Sequence, residues 1–187
     1  MKISSKENKI IFLGIPIIFI IGSIMHFAYD LSGHLPIIGL IAPVNESIWE
    51  HLKLSFFPTF FWWIITYGIL KNNYNFKGKE WILSGIVSSI VSTIVIVTFY
   101  YTYTGAFGIH SLFLDIFSLL LAIIIGQILA HHIYKYKKFN VFSASSLYLL
   151  FLIYIFMFFV FTFNPPHKPL FLDNQTNSYG IYKEAIK

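Results

Sequence analysis

Five apolar stretches, separated by short polar intervals, set the pattern of this chain. Residues 10–29, 46–70, 81–103, 112–134 and 141–163 each have about the length of 20 or so apolar residues that a helix needs to cross a hydrocarbon core. The pattern predicts an all-α, polytopic membrane helix bundle of about five transmembrane helices over 1–163, with a tail over 164–187. The first stretch is too long for a signal-peptide core and lacks a convincing small-x-small cleavage site, so it reads as a resident helix. Between the first two stretches, residues 31–44 place Gly33, His34, Pro36, Gly39 and Pro43 around an apolar middle. Such a segment reads as re-entrant or interfacial, because irregular backbone at membrane depth has to be buried in protein. Pro58 predicts a kink in the second helix. Ser84, Ser88 and Ser92, with Gly85 and Ser89 alongside, predict close packing of the third. Tyr100, Tyr101 and Tyr103 read as an aromatic belt at a membrane interface.

Composition turns the helical reading into a membrane reading. Of the 187 residues 57% are hydrophobic and 11% charged, whereas a soluble domain carries about 25% charged residues. The absence of cysteine excludes disulfides, iron–sulfur clusters, thiolate zinc sites and thiol nucleophiles. All basic residues are lysines, so there is no guanidinium fork for a phosphate, which weakens a nucleotide or phospholipid-headgroup reading. The net charge of +5 comes from loop lysines and implies no nucleic-acid partner. Abundant Ile, Lys, Asn, Phe and Tyr without Arg fits an AT-rich bacterial genome, and hence a bacterial plasma membrane. Sidedness follows from the lysines. With the N-terminus inside, Lys2, Lys6, Lys9, Lys71, Lys77, Lys79, Lys135, Lys137 and Lys138 are cytoplasmic, and Lys53, Lys168, Lys183 and Lys187 external.

The polar residues concentrate on the other side. Asn45–Lys53 (Asn-Glu-Ser-Ile-Trp-Glu-His-Leu-Lys) is the most chemically loaded stretch. If it begins a helix, Asn45 is a natural N-cap, Glu46 and Glu50 share a face with Lys53, and Ser47 and His51 form a ridge beside them. His26 and Asp30 lie one turn apart at the end of the first helix, and Asp115 sits more than a turn inside a fourth helix that opens at His110. Acids in such places are expensive and mark a site. The outer half thus gathers Asp30, Glu46, Glu50, Asp115 and Asp173 with His26, His34, His51, His110 and His167.

Imidazoles and carboxylates without thiols suit a divalent metal, zinc above all, or iron and manganese. The expected ligands are His26, His51 and His110, from three helices, with Glu50 completing or orienting the set. Asp115 would handle protons, Glu46 and Ser47 would position substrate, and the Pro-framed tail would act as a lid. His131 and His132 are left with the lysines. The plainer readings are a helix-terminal Glu46, a structural Glu50–Lys53 or Glu50–His ion pair, and a His26–Asp30 hydrogen bond. The leading functional expectation is a metal-dependent hydrolase or transferase acting on a lipid or lipid-linked substrate at the outer leaflet. A proton- or cation-coupled transporter and a non-enzymatic accessory or immunity protein are the alternatives.

At Pro43-Val-Asn-Glu-Ser-Ile-Trp-Glu-His-Leu-Lys53, at Asn164-Pro-Pro-His-Lys-Pro-Leu-Phe-Leu-Asp173 and at Tyr179-Gly180, the chain resembles a family of small bacterial membrane proteins of unknown function. That resemblance spans most of the chain and implies no activity. His110-Ser111 followed by Asp115 also looks like the His-then-Asp helix of transmembrane hydrolases of the alkaline ceramidase and adiponectin-receptor type, which hold an intramembrane zinc on histidines. Five expected spans instead of seven, and no late His-x-x-x-His on the same side, make this an analogy of chemistry only.

Overall fold

The computed structural model describes residues 5–73 and 76–181; Lys2, Lys183 and Lys187 of the sidedness argument lie outside them. The helices are α1 Ser5–Met25, α2 Ala28–Leu31, α3 Pro36–Gly39, α4 Ile48–His51, α5 Lys53–Leu70, α6 Gly78–Phe107, α7 Leu112–Tyr136 and α8 Val141–Phe163. A 3-10 turn at Pro169–Phe171 and an antiparallel pair, β1 Leu172–Asp173 against β2 Ser178–Tyr179, complete the described chain. Four helices, α1, α6, α7 and α8, are long and apolar enough to cross a membrane. The fifth long helix, α5, has 18 residues and carries Lys53 and Pro58; at 1.5 Å per residue it is about 27 Å long.

These helices are apolar on both sides, as helices that pack inward and meet lipid outward must be. Ile65 and Ile69 of α5 and Leu152 and Phe156 of α8 are exposed, while Phe56, Leu83, Ile123 and Phe158 are buried. α5 and α7 each pack against both α1 and α6. α8 lies on α6 and meets α5 through rings, with Phe56 5.3 Å from Phe151 and 5.1 Å from Phe158. Small residues set the closest crossings. A Cβ on Gly85 would stand 2.5 Å from Trp63, and one on Gly126 2.9 Å from the Ser88 carbonyl. Ser84, Ser88 and Ser92 are buried on the same seam.

The bundle has two unlike ends. At one, the start of α1 meets the end of α7, where Tyr134 donates to Glu7 (2.8 Å) and His131 pairs with Asn8 (2.9 Å). Lys79 reaches the Phe139 carbonyl at this end, and the described lysines of the α5–α6 and α7–α8 connections belong to it. The other end collects the last turns of α1, α6 and α8, the starts of α5 and α7, and the tail.

Several boundaries differ from those expected. α1 starts earlier and stops at Met25, because the Phe27 N–H turns back to Ile24 and breaks the i−4 ladder. α6 runs on to Phe107, where Gly108 adopts the left-handed conformation (φ 64°) that closes a helix without strain. α7 starts at Leu112, so Asp115 stands in its first turn rather than deeper.

Candidate metal centre

The loaded nonapeptide folds from its turn outward. Asn45 is not the N-cap. Its Oδ1 accepts from the Ser47 N–H (2.9 Å) and its Nδ2 donates to the Gly180 carbonyl (2.8 Å), so the chain is still turning at that point. Ser47 is the cap, its Oγ accepting from the Glu50 N–H at 3.4 Å. Glu46 therefore precedes the helix and shares no face with Glu50.

Glu50 and Lys53 form a buried pair at 2.6 Å. The same Glu50 oxygen accepts from the Val44 N–H (3.0 Å). Lys53 spends its other two donors on the Gly39 carbonyl (2.7 Å) and Thr162 Oγ1 (2.6 Å). An ammonium has three donors, and all are used. This hub ties the 31–44 segment, α4 and α8 together. It also removes Lys53 from the exposed external charges and ties one Glu50 oxygen to the pair; the other, Oε1, is buried without a hydrogen-bond partner, and Glu50, an expected ligand, stands outside the histidine group.

A different carboxylate meets the histidines. His26 Nε2 and His51 Nε2 stand 3.1 Å apart, with Glu46 Oε1 3.7 Å from the first and Oε2 3.4 Å from the second. Among the described residues these three form the one group whose ligand atoms all lie within 4.8 Å of one another. A tetrahedral zinc with bonds of about 2.0–2.1 Å sets its ligand atoms about 3.3 Å apart, close to all three separations. The tautomer is fixed as well. His51 Nδ1 lies 2.9 Å from the Ser47 carbonyl; a carbonyl only accepts, so Nδ1 carries a proton and, in the neutral ring, Nε2 presents its lone pair to the group. The side chains are 32% (His26), 37% (Glu46) and 29% (His51) exposed, which leaves one side open for water or substrate. Contacts with His26 and then His51 hold the Glu46 carboxyl well below the usual carboxylate range. Burial alone would lower the His51 imidazole, but Glu46 and the Ser47 carbonyl outweigh it and leave it raised.

Backbone contacts bring the two histidines together. Pro58 has no N–H to give the Leu54 carbonyl four residues back, and α1 presses Gly22 onto that carbonyl: a Cβ there would stand 2.4 Å from the oxygen. His26 lies one turn past Gly22, and His51 three residues before Leu54. The same Gly22 position faces Leu119 of α7, and Asp115 lies one turn above Leu119. Asp115 thus stands level with the histidines and adds to the field at His51.

The other expected site residues have partners of their own. Asp115 Oδ1 accepts from the buried Tyr103 hydroxyl (2.7 Å), so Tyr103 is no interfacial ring but the holder of that carboxylate. His110 lies exposed beside Tyr100 (3.2 Å) and outside the group. Asp30 pairs with His34 (3.1 Å), not His26. Asp173 is spent on its hairpin turn, accepting from the Gln175 and Thr176 N–H groups. His167 stacks on Tyr179 at 4.5 Å. The tail is bound to α4 and to the turn before it: Phe171 packs 5.0 Å from Trp49, and the Gly180 carbonyl accepts from Asn45.

Over residues 1–181 the sequence matches the family of unknown function DUF6512. The chain belongs to this family. No curated protein and no solved structure matches it. The family carries no assigned chemistry, so any role has to come from the geometry above.

Proposed function

We propose that this chain is a metal-dependent hydrolase or transferase of the bacterial plasma membrane, acting on a lipid or lipid-linked substrate at the outer leaflet. One observation carries the reading: two imidazoles and one carboxylate converge at zinc-like spacing, with the His51 tautomer fixed, where α1 ends. His26, Glu46 and His51 would hold the ion, and two histidines with one glutamate suit zinc.

 With a metal bound, such a site supplies a polarised carbonyl or phosphoryl oxygen and a water acidified toward neutral pH. The chain's own groups supply the rest. The Ser47 carbonyl orients His51, Tyr103 fixes Asp115, and Asp115 stands level with the group to take or return a proton.

Orientation follows from charge. The lysine-rich end faces the cytoplasm and the histidine group the outside, and burial of Lys53 strengthens the bias by removing one external charge. α5 completes five passes. For the transporter reading α6 offers buried Ser84, Ser88, Ser92 and Thr93, but on α7 the buried residues between Ser118 and Gly126 are Leu119, Ala122 and Ile123, with no titratable group among them.

The test is turnover. Zinc-loaded protein in nanodiscs is incubated with bacterial lipid extract, and products are followed by mass spectrometry beside His51→Ala. A lipid product formed by the wild type and not by the variant is the expected result. Equal product profiles from both would remove the enzyme reading.

A further inference from the structure

The segment between α1 and α4 has two contrasting edges. Its inner edge is fixed: Tyr29 is buried, its carbonyl accepts from the Ser32 hydroxyl (2.6 Å) and the His34 N–H (3.1 Å), and the Gly39 carbonyl is held by Lys53. Its outer edge is apolar and bare. Phe27 is 60% exposed, Leu31 83%, Leu35 51% and Ile37 70%. Connections that face water are polar, because they carry backbone and side chains into solvent. Four large apolar side chains on so short a connection are the mark of a surface that something apolar covers.

The occupant follows from continuity. Phe27 comes two residues after Met25, the last residue of a helix apolar enough to cross a membrane, so the outer edge prolongs the lipid-facing belt of α1. A second apolar tip stands at the same end of the bundle, where α6 passes into α7 and Phe107, Leu112 and Phe113 are exposed. Asp30 and His34, paired with each other and largely exposed, supply the polar side of the segment. Short helices with one apolar and one polar edge lie in the plane of a bilayer surface.

We propose that residues 27–39 form an interfacial anchor, with Phe27, Leu31, Leu35 and Ile37 set among the acyl chains of the outer leaflet. The anchor lies on the bilayer and does not re-enter it. It keeps His26, the residue just before it, at the depth of the lipid headgroups. If the metal reading above holds, an amphiphilic substrate then reaches His26, Glu46 and His51 by moving sideways within the leaflet.

Because the chain has no cysteine, single-cysteine variants report on one position each. Leu31→Cys, Ile37→Cys and, as a control on the exposed hairpin, Gln175→Cys are labelled with a small fluorophore in nanodiscs. Quenching by lipids with a spin label high on the acyl chain is compared with quenching by aqueous iodide. At positions 31 and 37 lipid quenching should exceed iodide quenching by roughly threefold or more, and at 175 the order should reverse. Iodide quenching at 31 and 37 equal to that at 175 overturns the anchor. Metal content of the unlabelled wild type separates the two claims: a metal-free protein with lipid-quenched probes keeps the anchor and removes the site, and a metal-bound protein with iodide-quenched probes does the opposite.

Discussion

Glu46 and Glu50 stand four residues apart in one short stretch, yet they do different work. Glu50 is buried against a lysine whose donors are all used, so its pairing holds three parts of the chain together. Glu46 is partly open and faces two imidazole nitrogens, one of which has its proton fixed on the far side of the ring. The difference comes from the cap. Because Ser47 starts the helix, Glu50 points inward along α4 while Glu46 stays on the bend before it. Glu50 keeps one buried oxygen without a hydrogen-bond partner, but it is Glu46 whose oxygens lie beside both imidazoles.

That contrast gives perturbations of graded size. Lys53→Met leaves the Glu50 carboxylate buried without its cation, a change that costs about 3–5 kcal/mol; thermal unfolding in detergent should show it, and adding Glu50→Gln should recover most of the loss. If Lys53→Met unfolds no earlier than wild type, the pair is not structural. His51→Ala should do the reverse, lowering metal affinity by more than about 100-fold, since even partners behind a ligand cost 10–100-fold, while unfolding moves little. Gly22→Ala forces α1 off the Leu54 carbonyl, an overpacking worth about 1–3 kcal/mol. It should also weaken metal binding by displacing His26, although no ligand is altered. Isothermal titration with zinc would read both variants. Asn45→Ala loses the link to Gly180 and about 1 kcal/mol, with a few-fold fall in metal affinity.

The smallest effect on stability is that of pH, because these groups are about a third exposed and screened by solvent. Glu46 is depressed, so its contribution is present above the ordinary carboxylate range and lost as pH falls. His51 is raised, so its contribution is present below about pH 6.5 and lost as pH rises through the folded value. Metal-free protein should therefore be most stable between those limits. Metal affinity should instead climb with pH, since ligand histidines bind as neutral rings. Parallel pH trends in the two measurements would contradict the shared role of His51.

Much of the fold was legible in the pattern of apolar residues. The expected 141–163 coincides with α8, and the polar end of the bundle is where charge and histidine placed it. The site was legible only in part. His26, Glu46 and His51 were all singled out, but Glu46 was cast as a substrate contact and Glu50 as the ligand, because the helix was expected to start two residues early. Ser47-Ile-Trp-Glu50 is a capping-box pattern and was the signal that places the cap. His110 dropped out because α6 runs to Phe107 and its left-handed Gly108 cap leaves that imidazole on a connection before α7. Tyr103 carried no sequence signal that separates it from Tyr100 and Tyr101. Its partner comes from the next helix, and that contact exists only once α6 and α7 pack.

Metal content tests the central claim most directly. Protein purified in nanodiscs without added chelator is assayed by mass spectrometry, beside His26→Ala, Glu46→Gln, His51→Ala, Glu50→Gln and His110→Ala. About one zinc or related divalent ion per chain is expected in the wild type, lost in the first three variants and kept in Glu50→Gln and His110→Ala. A folded wild type that binds no metal, or one whose metal survives His51→Ala and leaves with His110→Ala, would contradict the account.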